Sequence, residues 1–125
     1  MIFHHVGCAC KDIDKTLPKL IKQLGGTLEN RAFDPLQNAD LAMILLADGS
    51  RIELISGEVV SNFLAKKITY YHVCYEVDDI AEAIKDMTAK GAIVVSEPKP
   101  AILFSNRPVA FLSTAIGLVE LLQTS

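Results

Sequence analysis

His72-Val73-Cys74-Tyr75-Glu76-Val77-Asp78-Asp79-Ile80 restates His5-Val6-Gly7-Cys8-Ala9-Cys10-Lys11-Asp12-Ile13 at an offset of 67 residues. The offset holds downstream, where Ile52-Glu53-Leu54-Ile55 is matched by Val119-Glu120-Leu121-Leu122. His5 to Glu53 and His72 to Glu120 therefore both span 48 positions (53 − 5 and 120 − 72). A repeat at fixed spacing signals two similar structural units packed together. Two copies of one histidine and one glutamate bring two imidazoles and two carboxylates, which is a divalent metal site in outline.

Working outward from these stretches, residues 3–10 form a short apolar run of small, β-branched and sulfur-bearing side chains, suited to a buried strand. Asp12 and Asp14 offer N-caps, and Ile13, Leu17, Leu20, Ile21 and Leu24 recur at helical spacing until Gly25-Gly26. Pro18 is placed near the first turn, where proline is tolerated. Strands are expected at 27–33, 41–47 and 51–56, the last two joined by an Asp48-Gly49-Ser50 turn. The second unit repeats the order. A strand at 71–77 leads into a helix capped by Asp79 and Glu82, with Ile80, Ala83, Ile84 and Met87 on its buried face and Gly91 at its end. Strands at 92–96, 108–113 and 118–122 follow, and residues 98–107, starting Pro98-Lys99-Pro100, read as the longest irregular stretch.

The fold class is thus α+β, with two β-α-β-β-β repeat units. Residues 1–125 make one domain of two units, about 1–57 and 70–125, joined by a linker at 58–69 in which 61–67 reads as a short helix.

Strand geometry selects the ligands. Alternate residues face opposite sides of a sheet, so His5, Gly7 and Ala9 share one face while His4, Val6, Cys8 and Cys10 share the other. His4 aligns with Tyr71 but His5 with His72, so the repeat picks His5. Glu53 and Glu120 each lie between strongly apolar neighbours. If those neighbours pack against the helices, both carboxylates point to the opposite face, where a shared cation offsets their desolvation.

Bulk composition narrows the function. The chain has 125 residues, 50% hydrophobic and 22% charged, with a formal charge of −3, which gives no electrostatic case for nucleic acid. No apolar run is long enough to span a bilayer, and the start carries no signal-peptide pattern, so no membrane partner and a cytoplasmic location are expected. Three cysteines cannot all pair within one chain, and Cys8-Ala9-Cys10 is too tight for an ordinary disulfide, so reduced thiols are expected. Cys8 and Cys10 are read as core thiols on the helix side, and Lys66-Lys67 as a solvated linker face.

These residues resemble the vicinal oxygen chelate superfamily, which includes glyoxalase I and methylmalonyl-CoA epimerase. The resemblance covers nearly the whole chain: His-Val-Gly at 5–7, Ile-Glu-Leu-Ile at 52–55, the strand opening at His72, Val-Ala-Phe-Leu at 109–112 and Leu-Val-Glu-Leu at 118–121. It implies a cupped mixed sheet of the glyoxalase/bleomycin resistance type, with His5, Glu53, His72 and Glu120 converging on one divalent ion, Ni, Co, Zn, Mn or Fe. The sequence looks most like the epimerase branch. It departs from that branch at Ala101-Ile102-Leu103-Phe104-Ser105-Asn106 and at Ser113-Thr114-Ala115, and from the glyoxalase type at Ala115-Ile116-Gly117.

The resemblance implies a metal-dependent isomerase acting on a small-molecule substrate, an acyl-thioester or keto compound, by proton transfer next to a carbonyl. Glu120 is the expected base, Glu53 stands on the opposing side, and Asp40 is the nearest candidate for the further carboxylate that epimerases carry. Cys74, Lys99 and Arg107 are candidates for substrate contact. The alternatives are a glyoxalase I-like lyase acting on a hemithioacetal and a non-catalytic small-molecule binder of the same fold. A homodimer is expected from the family's habit of pairing and the frequency of two-fold assemblies.

Overall fold

The computed structural model describes residues 1–125. Its elements in chain order are β1 (Ile2–Ala9), α1 (Ile13–Leu24), β2 (Thr27–Asp34), β3 (Ala39–Leu45), β4 (Arg51–Gly57), α2 (Ser61–Ala65), β5 (Tyr70–Val77), α3 (Ile80–Ala89), β6 (Ile93–Ala101), β7 (Arg107–Thr114) and β8 (Gly117–Gln123), with 3-10 turns at Glu58–Val60 and Ile102–Phe104. The contacts divide the chain into two compact units, His5–Tyr71 and His72–Ser125, the latter including Met1–His4. No helix is long and apolar enough to cross a membrane.

In the unit of residues 5–71 the strand order is β2-β3-β4-β1, with β1 parallel to β4 and the other neighbours antiparallel. The Asp12 carboxylate accepts the Asp14 N–H at 2.9 Å and starts α1. The helix ends where the Gly25 N–H reaches the Ile21 carbonyl at 2.8 Å. Gly26 follows at φ 94°, where an added Cβ would sit 2.7 Å from the Leu45 carbonyl oxygen, so the chain can turn into β2 only without a side chain there. Ile13, Leu17 and Leu20 then pack with Cys8, Cys10, Ala42, Ile44, Leu46 and Leu54. Arg31 of β2 reaches Asp14 at 2.7 Å and ties the helix start to the edge strand.

The unit of residues 72–125 repeats this logic, in the order β5-β8-β7-β6, with β5 parallel to β8. Asp79 caps α3 by accepting the Glu82 N–H at 3.1 Å. Its apolar face, Ile80, Ala83, Ile84 and Met87, covers Val77, Ala110, Leu112, Val119 and Leu121. Each fully buried Leu or Ile stabilises by roughly 1.5–3 kcal/mol relative to an exposed one, so these two cores account for much of the fold's stability. The α+β class and the two β-α-β-β-β units are thus the observed architecture.

Four local details differ from the sequence reading. Pro18 lies inside α1, in its second turn, so the Asp14 carbonyl has no N–H four residues on; Asp14 is exposed there, and water can satisfy that carbonyl. The third strand begins at Ala39 and ends at Leu45, two residues earlier at each end than expected, because pairing with β4 from Ala39–Gly57 to Leu45–Arg51 sets its limits. Pro98 and Pro100 lie within β6 instead of a loop. That strand closes the order β5-β8-β7-β6 and its register with β7 shifts between Val94 and Lys99, so an end strand with bulges accommodates residues lacking an N–H. The linker helix stops at Ala65, and Lys67 takes a left-handed conformation at φ 58°.

Candidate metal and proton-transfer site

The first His–Glu pair lies wholly in the unit of residues 5–71. Parallel register sets Gly7 directly beside Glu53, and antiparallel register sets Met43 on its other side. Leu54, one residue on, packs under α1, so Glu53 faces away from the helix, on the face shared by His5 and Gly7. The result is His5 Nε2 at 3.3 Å from Glu53 Oε1, with the imidazole 0% and the carboxylate side chain 5% exposed.

The second pair forms in the same way in the unit of residues 72–125. Cys74 stands beside Glu120 in parallel register, and Phe111 flanks it on β7. Val119 and Leu121 point into the α3 core, leaving Glu120 on the opposite face with His72. His72 Nε2 is 3.3 Å from Glu120 Oε1, both side chains being nearly inaccessible. Phe111 holds the His72 ring edge-to-face at 5.5 Å between centroids.

The donor chemistry fits a divalent metal. A charge-assisted N–H···O bond between imidazolium and carboxylate is shorter, at about 2.7–2.9 Å. Two donor atoms about 2.1 Å from one first-row ion lie roughly 3.0–3.4 Å apart in octahedral or tetrahedral geometry. The 3.3 Å separations fall in that range, and imidazole with carboxylate suits Zn, Mn, Fe, Co or Ni better than Ca.

Of the other candidates, Cys74 is fully buried and packs with Ala101, Val109, Leu122 and Phe104, on the face of His72 and Glu120. Arg107, at the start of β7, pairs with Glu76 at 3.3 Å, donates to the Thr124 carbonyl at 3.2 Å and lies over the Phe104 ring. Lys99 is an exposed residue of β6. Asp40 corrects the expectation placed on it. It pairs with Ser56 and shares its side of β3 with Ala42 and Ile44, which pack under α1; Met43 shares the face of Glu53. Asp40 is also exposed, so strand parity turns it away from Glu53.

Cys8 and Cys10 lie in the α1 core, and none of the three cysteines is joined in a disulfide. Burial raises both the Cys8 and Cys10 thiol pKa values above the ordinary range, with the negative charges of Cys10 and Glu53 adding to the effect at Cys8. His4 is buried beside Phe104, ring edge to ring face at 5.5 Å.

A carboxylate that the sequence reading passed over is Asp34, the last residue of β2 and only 5% exposed. It pairs with Ala39, which shares its face of β3 with Leu41 and Met43, the latter standing beside Glu53. Oδ1 accepts the Leu36 N–H at 2.9 Å and Oδ2 the Gln37 side-chain amide at 2.8 Å. The sequence offered only Asp-Pro at a strand end, which reads as an ordinary turn.

Comparison with known proteins agrees with this architecture. The chain is 29% identical over 115 residues to the ethylmalonyl-CoA/methylmalonyl-CoA epimerase of Cereibacter sphaeroides, covering 87% of this chain and 85% of that protein. It is 26% identical over 115 residues to the mitochondrial methylmalonyl-CoA epimerase of Dictyostelium discoideum, covering 87% and 68%. Among solved structures, methylmalonyl-CoA epimerase from Mycobacterium tuberculosis superposes with a TM-score of 0.85 at 19% identity, covering 98% of this chain and 87% of that one. A Streptomyces coelicolor methylmalonyl-CoA epimerase in complex with 2-nitronate-propionyl-CoA superposes at 0.83 with 22% identity, covering 100% and 98%. At these identities the structural likeness establishes the fold. The family model described as glyoxalase/bleomycin resistance protein/dioxygenase superfamily matches residues 4–111, and the chain belongs to that superfamily, the vicinal oxygen chelate proteins.

Proposed function

We propose that this chain is a divalent-metal-dependent proton-transfer enzyme with epimerase-like chemistry on a small acyl-thioester. The observation that carries the reading is the buried His–Glu pair present once in each repeat, with the same 3.3 Å donor spacing in both. The epimerase names of the relatives support the substrate class. His5, Glu53, His72 and Glu120 would together hold one ion. When bound, it supplies Lewis-acid stabilisation of the negative charge that develops on the substrate's carbonyl oxygen.

The protein's own groups do the rest. Glu120 removes the proton from the carbon beside the carbonyl, and the electron pair of that C–H bond passes into the carbonyl. Phe111 fixes the His72 ring, and Cys74, Val109 and Leu122 supply an apolar surround on the same face. Such a surround excludes water and strengthens every electrostatic contact within it. Asp40, exposed and on the other face of β3, takes no part.

The test is solvent deuterium uptake at the α-carbon across a panel of acyl-thioesters, wild type against Glu120→Gln. Wild-type exchange that falls about 100-fold or more in the variant supports the reading. Undiminished exchange in the variant excludes Glu120 as base, and no exchange in wild type with added metal excludes the function.

A further inference from the structure

The offset of 67 residues that duplicates the His–Glu pairs inverts the charge carried around α1 and α3. Lys11, Lys15 and Lys19 are matched by Asp78, Glu82 and Asp86, so three cations in one repeat stand where three carboxylates stand in the other. All six residues are exposed. Residues 11–24 hold four lysines against two aspartates, and the matched residues 78–91 hold four carboxylates against two lysines. We propose that these faces meet between copies of the chain: the basic face of α1 in one molecule docks on the acidic face of α3 in a second, in a weak contact held by charge.

A merely solvated helix face explains less. Soluble surfaces ordinarily mix the two signs, and the favourable i,i+4 pairs of a helix join unlike charges. Lys15 and Lys19 are instead like charges four apart in α1, and Glu82 and Asp86 are like charges four apart in α3, an arrangement that disfavours each helix by itself. Lys11 and Lys15 also lie at the start of α1, where the helix dipole is positive and disfavours cations. The acids of that segment are otherwise engaged, since Asp12 caps the helix and Arg31 reaches Asp14 at 2.7 Å. On α3, Lys90 reaches Asp86 at 3.0 Å, an exposed pair that solvent screens and a competing cation can replace.

Spacing supplies the fit. Each set runs at intervals of four residues, and the helical members rise about 6 Å per step, so cation and carboxylate can meet rung for rung. The occupant is a second copy because the chain itself carries the complement of each face at identical spacing, and the contact joins unlike faces instead of one face to itself. Attraction between exposed charges gives partner selection and a salt-sensitive encounter more than tight binding. The screening length is about 30 Å at about 0.01 M salt and about 3 Å at about 1 M, so the contact forms in the first condition and dissolves in the second. Association through apolar surface persists at high salt and is separated from this contact on that ground.

Sedimentation velocity over a range of protein concentrations, in about 0.01 M and about 1 M sodium chloride, tests this. Wild type is expected to self-associate about 10-fold or more tightly at the lower salt. Reversing α1 with Lys15→Glu and Lys19→Glu, or α3 with Glu82→Lys and Asp86→Lys, should remove that salt-dependent part. All four substitutions in one chain should restore it, at the wild-type formal charge of −3. The single reversals Lys15→Glu and Glu82→Lys, read with their combination, serve if a double reversal lowers the unfolding midpoint. Wild type that does not associate at low salt, or associates equally at both salts, overturns the proposal, as do reversed variants that associate as wild type does. Failure of the combined variant to restore association also overturns it. Loss in the α1 variant with none in the α3 variant overturns it too, and assigns the basic face to a different acidic surface.

Discussion

His72 Nε2 stands 3.3 Å from Glu120 Oε1, and 67 residues earlier His5 Nε2 stands 3.3 Å from Glu53 Oε1. Each relationship is produced by the same device, a parallel pair of strands in which the glutamate sits beside the residue two positions after the histidine: Gly7 for Glu53 and Cys74 for Glu120. Duplication of a strand register has thereby duplicated a buried His–Glu pair.

If both pairs serve one ion, protein purified without chelator should hold about one divalent metal per chain by elemental analysis. His5→Ala and His72→Ala should each lower affinity by at least 10-fold, since removing one of four donors weakens the remaining set. Two ions per chain, with each histidine variant losing only one, would show that the pairs act separately.

Arg107 is expected to act on stability. Its half-buried pair with Glu76, its bond to the Thr124 carbonyl and its place over Phe104 join the start of β7 to β5 and to the end of the chain. Arg107→Met should cost about 1–2 kcal/mol, once solvent screening of the pair is allowed for, as read by urea denaturation. A change in thioester KM with no change in unfolding midpoint would reassign the residue to substrate binding.

Cys10 links stability to alkaline pH. Burial raises its pKa, so the folded chain holds the thiol proton more tightly than the unfolded chain. Its contribution is fully present below the ordinary thiol value and is lost as pH rises through that value toward the folded one. The urea midpoint of wild type should therefore fall more steeply than that of Cys10→Ala as pH rises above about 8, measured in reductant. Parallel curves would remove the thiol from the account.

The expected homodimer is tested by light scattering at micromolar concentration, which should give about twice 13.6 kDa. The exposed apolar side chains Ile93 and Val95 on the end strand β6 give an association surface its chemistry. Ile93→Lys should shift the mass toward monomer if that edge is used; a monomeric wild type, with and without metal, would dismiss the dimer.

The sequence by itself determined the architecture and the two His–Glu pairings. Repetition at one offset is a linear property, and so is strand alternation, so His5 could be preferred over His4, and Glu53 and Glu120 could be turned away from the helices, by counting alone. The helix caps Asp12 and Asp79 and the stop at Gly25 were legible for the same reason, since they depend on neighbours a few residues away. What tertiary structure decided were the properties that depend on cross-strand partners. Asp40 reads as a plausible second acid until pairing with Ser56 turns it onto the α1 side. Asp34 reads as a turn residue until pairing with Ala39 places it, buried, on the face of Met43 and Glu53. Pro98 and Pro100 read as loop because local preference disfavours proline in strands, and only the bulged register against β7 makes room for them. A one-residue change in register moves a side chain to the other face of a sheet, and register is set by strands distant in sequence, which composition and spacing do not encode.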